Sequence, residues 1–194
     1  NLNKESEVNV SLAEPFIEEL LYDLLIPILR KNIKMQLESG AEIVYVFDTN
    51  SKQLDKDYFE KKYLKKIEKA LFQPFPKKIA YFSKNKSFYD INEMETNSYE
   101  LAGTVFPMEE GFRSYIGKSK KGFVQGNFSP ISLLKPHSDF LLDFDVFLKK
   151  MKSLSVANRT GWICSLNHGV LPKTPEINVR HFIQAIREQF SGGN

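Results

Sequence analysis

Apolar residues along this chain switch repeatedly between two spacings. Between Ser11 and Gly40 they recur at helical intervals, with Phe16, Leu20, Leu21, Leu24, Ile28 and Leu29 forming the stripe. Ser11 and Glu14 stand at capping-box spacing, Pro15 falls inside the first turn and Gly40 marks a stop. Pro27 has no N–H to give to the helix, so a kink or a split is expected there. Glu42 to Phe47, EIVYVF, is a compact β-branched run, which predicts a strand covered on both faces.

The alternation then repeats. A lysine-rich helix is expected over Lys56 to Phe72, and KIAYF, Lys78 to Phe82, reads as a strand. A weakly helical piece, Phe88 to Glu95, precedes the strand-like YELAGTVF, Tyr99 to Phe106. A helix near Glu109 to Ile116 leads to the strand KGFVQGN, Lys121 to Asn127. Ser138 to Met151 reads as helix and GWICSL, Gly161 to Leu166, as strand. The last helix opens with Thr174 as N-cap and Pro175 as N1 and runs to Phe190. Strand followed by helix, about five times over, predicts an α/β fold with parallel strands and flanking helices. An open doubly wound sheet and a (β/α)8 barrel both fit, and five units are too few to close a barrel. Periodicity alone therefore favours the open sheet. In either fold, functional groups belong at the C-terminal strand ends.

Composition narrows the function classes. Hydrophobic residues make up 42% and charged residues 26% of the 194, as in a globular domain, so residues 1–194 read as a single domain with a polar lead-in over 1–10. The net charge of +3 is too small and scattered to predict nucleic-acid binding. The densest basic run, KKYLKKIEKA from Lys61, has helical spacing and reads as a solvated helix face. No run of eighteen apolar residues predicts a membrane span, and the polar, acid-bearing start argues against a secretory signal. A single cysteine, Cys164, excludes an internal disulfide and a multi-cysteine metal site, which makes a cytoplasmic location the expectation.

Three segments at expected strand ends carry candidate chemistry. In FDTNS, Asp48 offers a base or polar anchor and Thr49 a hydrogen-bonding hydroxyl; the same residues equally make an Asx-type turn. In QGNFSP, Gly126 permits close backbone approach and Asn127 orients a ligand or a neighbour, or the segment is simply a turn ended by Pro130. In SLNHGVLPKTP, His168 suits proton transfer near neutrality and Gly169 allows a tight backbone, ahead of a helix start that favours anions. His137 and His181 read as helix-surface residues, and no protein-built metal site is expected.

The string LNHGVLPKTPEINVRHFIQAIRE, Leu166 to Glu188, resembles the C-terminal signature of the uroporphyrinogen decarboxylase family, a histidine-glycine loop leading into a Pro-x-x-Asn-Val helix. SGAEIVYVFDT, YELAGTVF and VQGNFSP resemble three further family segments in the same order, so the likeness runs from about Phe16 to Phe190. The resemblance implies the C-terminal half of a (β/α)8 TIM barrel, homodimers, no cofactor and a cytoplasmic lyase of haem biosynthesis. Its implied substrate is uroporphyrinogen III, whose four acetate side chains are decarboxylated to give coproporphyrinogen III. By the same resemblance His168 matches the active-site histidine and Thr49 the active-site serine. Asp48, Asn127 and Gly169 fall in the matching substrate-binding segments. The family's arginine-rich motif, pyrrole-binding aspartate and tyrosine belong to the N-terminal half and have no counterpart here. Val105-Phe106 stands where the family has Asp-Trp, Phe128-Ser129 where it has Leu-Asp, and Asn167 where it has glycine. Two alternatives follow: a partial barrel that binds without catalysis, and a corrinoid methyltransferase of the same superfamily, which would call for a His/Cys zinc site.

Overall fold

The computed structural model describes residues 15–89, 100–107, 111–118 and 122–190. Among these residues five strands form one sheet: β1 (Val44–Asp48), β2 (Ile79–Ser83), β3 (Gly103–Val105), β4 (Phe123–Gln125) and β5 (Trp162–Ile163). All neighbours are parallel, and their spatial order is their chain order. A doubly wound sheet reverses its order at a switch point. This one never reverses, so the open doubly wound expectation gives way to barrel winding.

Curvature supports the same conclusion. In a flat sheet β1 and β4 would stand about 14 Å apart, three strand spacings. Instead the rings of Tyr45 on β1 and Phe123 on β4 lie 6.0 Å apart, and the Tyr45 hydroxyl donates to Gln125 on β4 at 2.9 Å. The intervening positions at that level are Ala80 and Gly103, the smallest side chains available. A Cβ on Gly103 would lie 2.4 Å from the Phe123 ring, so glycine is required there for the ring to cross the concave face. The sheet is a segment of barrel wall.

The helices cover its convex face. α1 (residues 15–38) runs as Pro15–Glu19, a π-helical stretch Leu20–Leu25 and Ile26–Glu38. The helix is not split at Pro27. The ladder has already widened there, with the Ile26 N–H donating to the Leu21 carbonyl, and Pro27 falls in the first turn of the segment that follows. α2 (residues 56–72) carries the basic run; its Tyr63, Leu64 and Ile67 are buried between exposed lysines. α3 (Phe112–Lys118) follows β3. α4 (Pro130–Leu134) and α5 (His137–Lys152) follow β4, then α6 (Val156–Arg159) leads to β5 and α7 (Glu176–Phe190) closes the order.

Two hydrophobic clusters result. One joins α1, α2 and α3 to β1 to β3 through Ile33, Phe59, Phe72, Tyr81 and Phe106. The other surrounds Phe128, whose ring meets Phe140, Phe144, Phe147 and Phe182 at 5.2 to 6.1 Å. Phe128 is thus a packing residue of the α5–α7 layer.

Several boundaries move. The Ser11 start, Tyr99, Glu109 and Lys121 lie outside the described residues, as does most of the Phe88 to Glu95 piece. Val179 donates to the Pro175 carbonyl, making Pro175 the N-cap, while the Thr174 hydroxyl donates to Leu171 instead. The short α4 and α6 were absent from the periodicity because each is about one turn long. Their only signals are Ser129-Pro130 and Ser155, whose side chain caps Asn158.

Candidate functional site

Side chains alternate along a strand, so Tyr45, Phe47 and Thr49 share one face of β1 and its extension, while Ala80, Phe82 and Lys84 share the matching face of β2. The register aligns Phe47 with Phe82, Phe82 with Val105, and Val105 with Gln125. At the C-terminal end of this concave face they enclose a pocket of about 280 Å³ with Thr49, Lys84 and Ser165 through Gly169. Its floor is apolar, formed by Phe47, Phe82, Val105 and Leu166, and its polar groups stand around that floor. This is the arrangement expected of a small-molecule site at the mouth of a barrel.

The pocket brings His168, Thr49 and Gly169 together, as their strand-end positions predicted. His168 is exposed, and its Nδ1 lies 3.4 Å from the Gly169 carbonyl, too long to fix a tautomer. The Thr49 hydroxyl makes no capping bond to the 3-10 turn Asn50–Gln53, which leaves it available to a ligand. Gly169 has nothing within 4 Å of where a Cβ would stand, and its φ is not left-handed. The tight backbone expected at Gly169 is therefore absent, and its small size instead leaves room at the pocket rim. Gln125 ties the two walls together: it accepts from Tyr45, and its amide donates to Ser165 at 3.1 Å. Ser165 in turn donates to the Leu166 carbonyl at 2.9 Å, at the root of the histidine loop.

Asp48 and Asn127 lie elsewhere. Asp48 falls on the opposite strand face from Phe47 and Thr49, and its carboxylate accepts from the hydroxyls of Tyr63 at 2.8 Å and Tyr81 at 2.6 Å. Its second oxygen accepts the Ser51 N–H at 3.2 Å, which is the Asx-type turn. Burial, and the Asp48 charge beside them, push both phenols above the ordinary tyrosine range, so they remain donors. Past Gly126, whose φ of +144° a Cβ would oppose by meeting the Phe106 carbonyl at 3.1 Å, Asn127 is buried toward the helices. There it lines a separate cleft with Phe112, Arg113, Ser129 and Lys150.

A buried polar network locks the loops beneath the pocket. Ser51 Oγ lies 2.8 Å from both the Asp48 carbonyl and Ser83 Oγ. Asn85 donates to the carbonyls of Ser51 at 2.9 Å and Leu54 at 3.1 Å, and its own N–H donates to Ser83 Oγ at 3.0 Å. Thr49 and Lys84 thus project from loops whose outer sides are fixed.

Sequence reasoning did not single out Lys84, Gln125 or Ser165 as a group. The signal was present: the two-residue period that places Phe47 and Thr49 on one face also places Phe82 with Lys84. Among the described residues no three His, Cys, Asp or Glu side chains converge as a metal cage would require. Burial pushes the Cys164 thiol up to about 12, which disfavours the thiolate that zinc would need. His137 is tied to α7 through Nδ1, 2.7 Å from Asn178 Oδ1. Among the described residues no helix is long and apolar enough to cross a membrane.

Comparison with known proteins agrees with this geometry. The family model for uroporphyrinogen decarboxylase (URO-D) matches residues 8–189. Uroporphyrinogen decarboxylase of Nostoc punctiforme is 28% identical over 189 residues, 95% of this chain and 51% of the relative. That of Synechocystis sp. is 27% identical over 185 residues, 92% of this chain and 50% of the relative. That of Rickettsia bellii is 31% identical over 161 residues, 79% of this chain and 44% of the relative. The chain spans about half the length of the curated relatives it matches. With barrel winding, a pocket at the C-terminal strand ends and a match over nearly its whole length, this chain belongs to the uroporphyrinogen decarboxylase family.

Proposed function

We propose that this chain supplies the His168 side of a uroporphyrinogen decarboxylase active site, and that turnover requires the remaining half of the barrel. The observation that carries this reading is the pocket itself, where His168 and the uncommitted Thr49 hydroxyl meet over an apolar floor at the C-terminal strand ends. The reaction protonates a pyrrole carbon, so that the ring becomes an electron sink; CO2 leaves, the exocyclic methylene takes up a proton to become a methyl group, and the ring carbon gives its added proton back, restoring the pyrrole. The two protonations need a donor, and the return of the ring proton an acceptor, held against an apolar framework. His168 is the proton carrier, Thr49 a hydrogen-bonding anchor and Gly169 the open rim. Asp48 acts by positioning, fixing the turn after Thr49 from behind through Ser51. The catalyst uses no cofactor and works as a homodimer in the cytoplasm.

The test is turnover by the chain completed with the N-terminal half of a full-length relative. Coproporphyrinogen should accumulate from uroporphyrinogen, and a well-folded completed barrel with no product would sink the enzymatic reading. One observation favours a non-catalytic alternative: Val105 lines the pocket where the family pattern places an acid. That alternative predicts porphyrinogen binding without product.

A further inference from the structure

Lys84 is the one charged residue that lines the His168 pocket, apart from the titratable histidine itself. The period of β2 carries its side chain to the concave face, and its N–H donates to the Asp48 carbonyl at 3.2 Å, which fixes where the side chain departs. The residue is half-buried. Its ammonium forms no ion pair among the described residues, and no carboxylate lines the pocket. Elsewhere this surface pairs its lysines readily: Lys34, Lys56, Lys61, Lys62, Lys77, Lys135 and Lys149 all meet an acid within 4 Å. A cation withdrawn partly from water, above the apolar floor of Phe47, Phe82 and Val105, favours a ligand that brings its own negative charge.

We infer that Lys84 is the specificity-determining anchor of this pocket, binding a carboxylate arm of a ligand whose apolar body lies on Phe47, Phe82 and Val105. The ligand class is therefore an organic acid with an aromatic or apolar framework. The inference rests on the reading of this pocket as the substrate site, and it deepens that reading by naming the group that holds the acid. Thr49 and His168, on the flanking walls, then face the framework and not the anchored carboxylate.

The experiment measures binding of three probes to the full chain and to its Lys84→Met and Lys84→Arg variants. The probes are uroporphyrin I, its uncharged octamethyl ester, and benzene-1,3-dicarboxylate. Lys84→Met should weaken uroporphyrin binding about tenfold or more and leave the ester unaffected, while Lys84→Arg stays close to wild type. Added salt should weaken uroporphyrin binding to wild type more steeply than to Lys84→Met. Thermal unfolding of each variant, expected to match wild type, separates a lost contact from a lost fold. If Lys84→Met binds uroporphyrin as wild type does, the inference is overturned and the tetrapyrrole reading stands. If wild type ignores uroporphyrin but binds the dicarboxylate in a Lys84-dependent way, the anion site stands and the tetrapyrrole reading falls. Binding of neither acid overturns both.

Discussion

Asp48 and Thr49 are neighbours with opposite duties, and the difference is one step of a strand. Thr49 shares the concave face with Phe47 and reaches the pocket, whereas the Asp48 carboxylate is turned to the helix side and held by two phenols. Removing that carboxylate leaves two buried hydroxyls without their acceptor, so Asp48→Ala should cost about 2 to 4 kcal/mol of stability, read from chemical denaturation. An Asp48→Ala variant as stable as wild type would mean that the phenols find other partners. The sequence showed the residue types at this strand end but left open which faced the ligand. Face assignment depends on which side of the sheet is covered, and IVYVF, Ile43 to Phe47, has no alternation of charged and apolar residues to reveal it. Asn127 was harder still, because the Gly126 turn breaks the alternation that would have placed it. His168 and Gly169 were legible because they stand just beyond Leu166, whose parallel bridge to Phe128 carries the strand direction to the end of the run GWICSL.

At the scale of elements, α4 and α7 leave the two loops that border β4 and β5, and Asn178 fastens them. Its side chain is fully buried; its amide donates to the carbonyls of Leu133 at 2.9 Å and Lys135 at 2.8 Å while its oxygen meets His137. These carbonyls lie at the end of α4, where no helical partner remains for them. Asn178→Ala should therefore destabilise the fold by about 2 to 3 kcal/mol, measured as a lower denaturation midpoint with an unchanged slope. A second tie at the same junction is sensitive to pH. Lys135, 2.7 Å away, holds the Asp143 carboxyl below the ordinary aspartate range, with help from the Ser132 hydroxyl. A depressed folded value means the pair adds stability above the ordinary aspartate value and loses it as pH falls through the lower one. Both groups remain substantially solvated, so Asp143→Asn should cost only about 0.5 kcal/mol at neutral pH, with the gap closing in acid. A gap that persists well below the aspartate range would show the cost to be packing, not charge. The long elements of this layer, α5 and α7, were readable from their apolar stripes. Their fastening was not, since Asn178 lies 41 residues from His137 in sequence and no local pattern joins them.

For the molecule as a whole, chain order and curvature fix what periodicity left open. The count of strand–helix units is the same in an open sheet and in a barrel segment, so the pattern alone could not separate them. What separates them is the concave face, where Ala80 and Gly103 let the Tyr45 and Phe123 rings meet across two intervening strands. Gly103→Val would drive a branched side chain into the Phe123 ring and should cost about 3 kcal/mol or more, with loss of the Tyr45–Gln125 bond seen by NMR. Unchanged stability would contradict the curved wall. The same face leaves Phe47 at 64% and Tyr45 at 37% exposed, on a strand that pairs only with β2 among the described residues, and the chain spans about half the length of its relatives. The account as a whole rests on His168 serving a decarboxylase pocket that the rest of a barrel completes. Its most direct test is coproporphyrinogen formation by the completed barrel with His168 intact and with His168→Ala, both confirmed as folded. The account predicts turnover in the first and a loss of about a hundredfold or more in the second. Equal rates in the two proteins would contradict it.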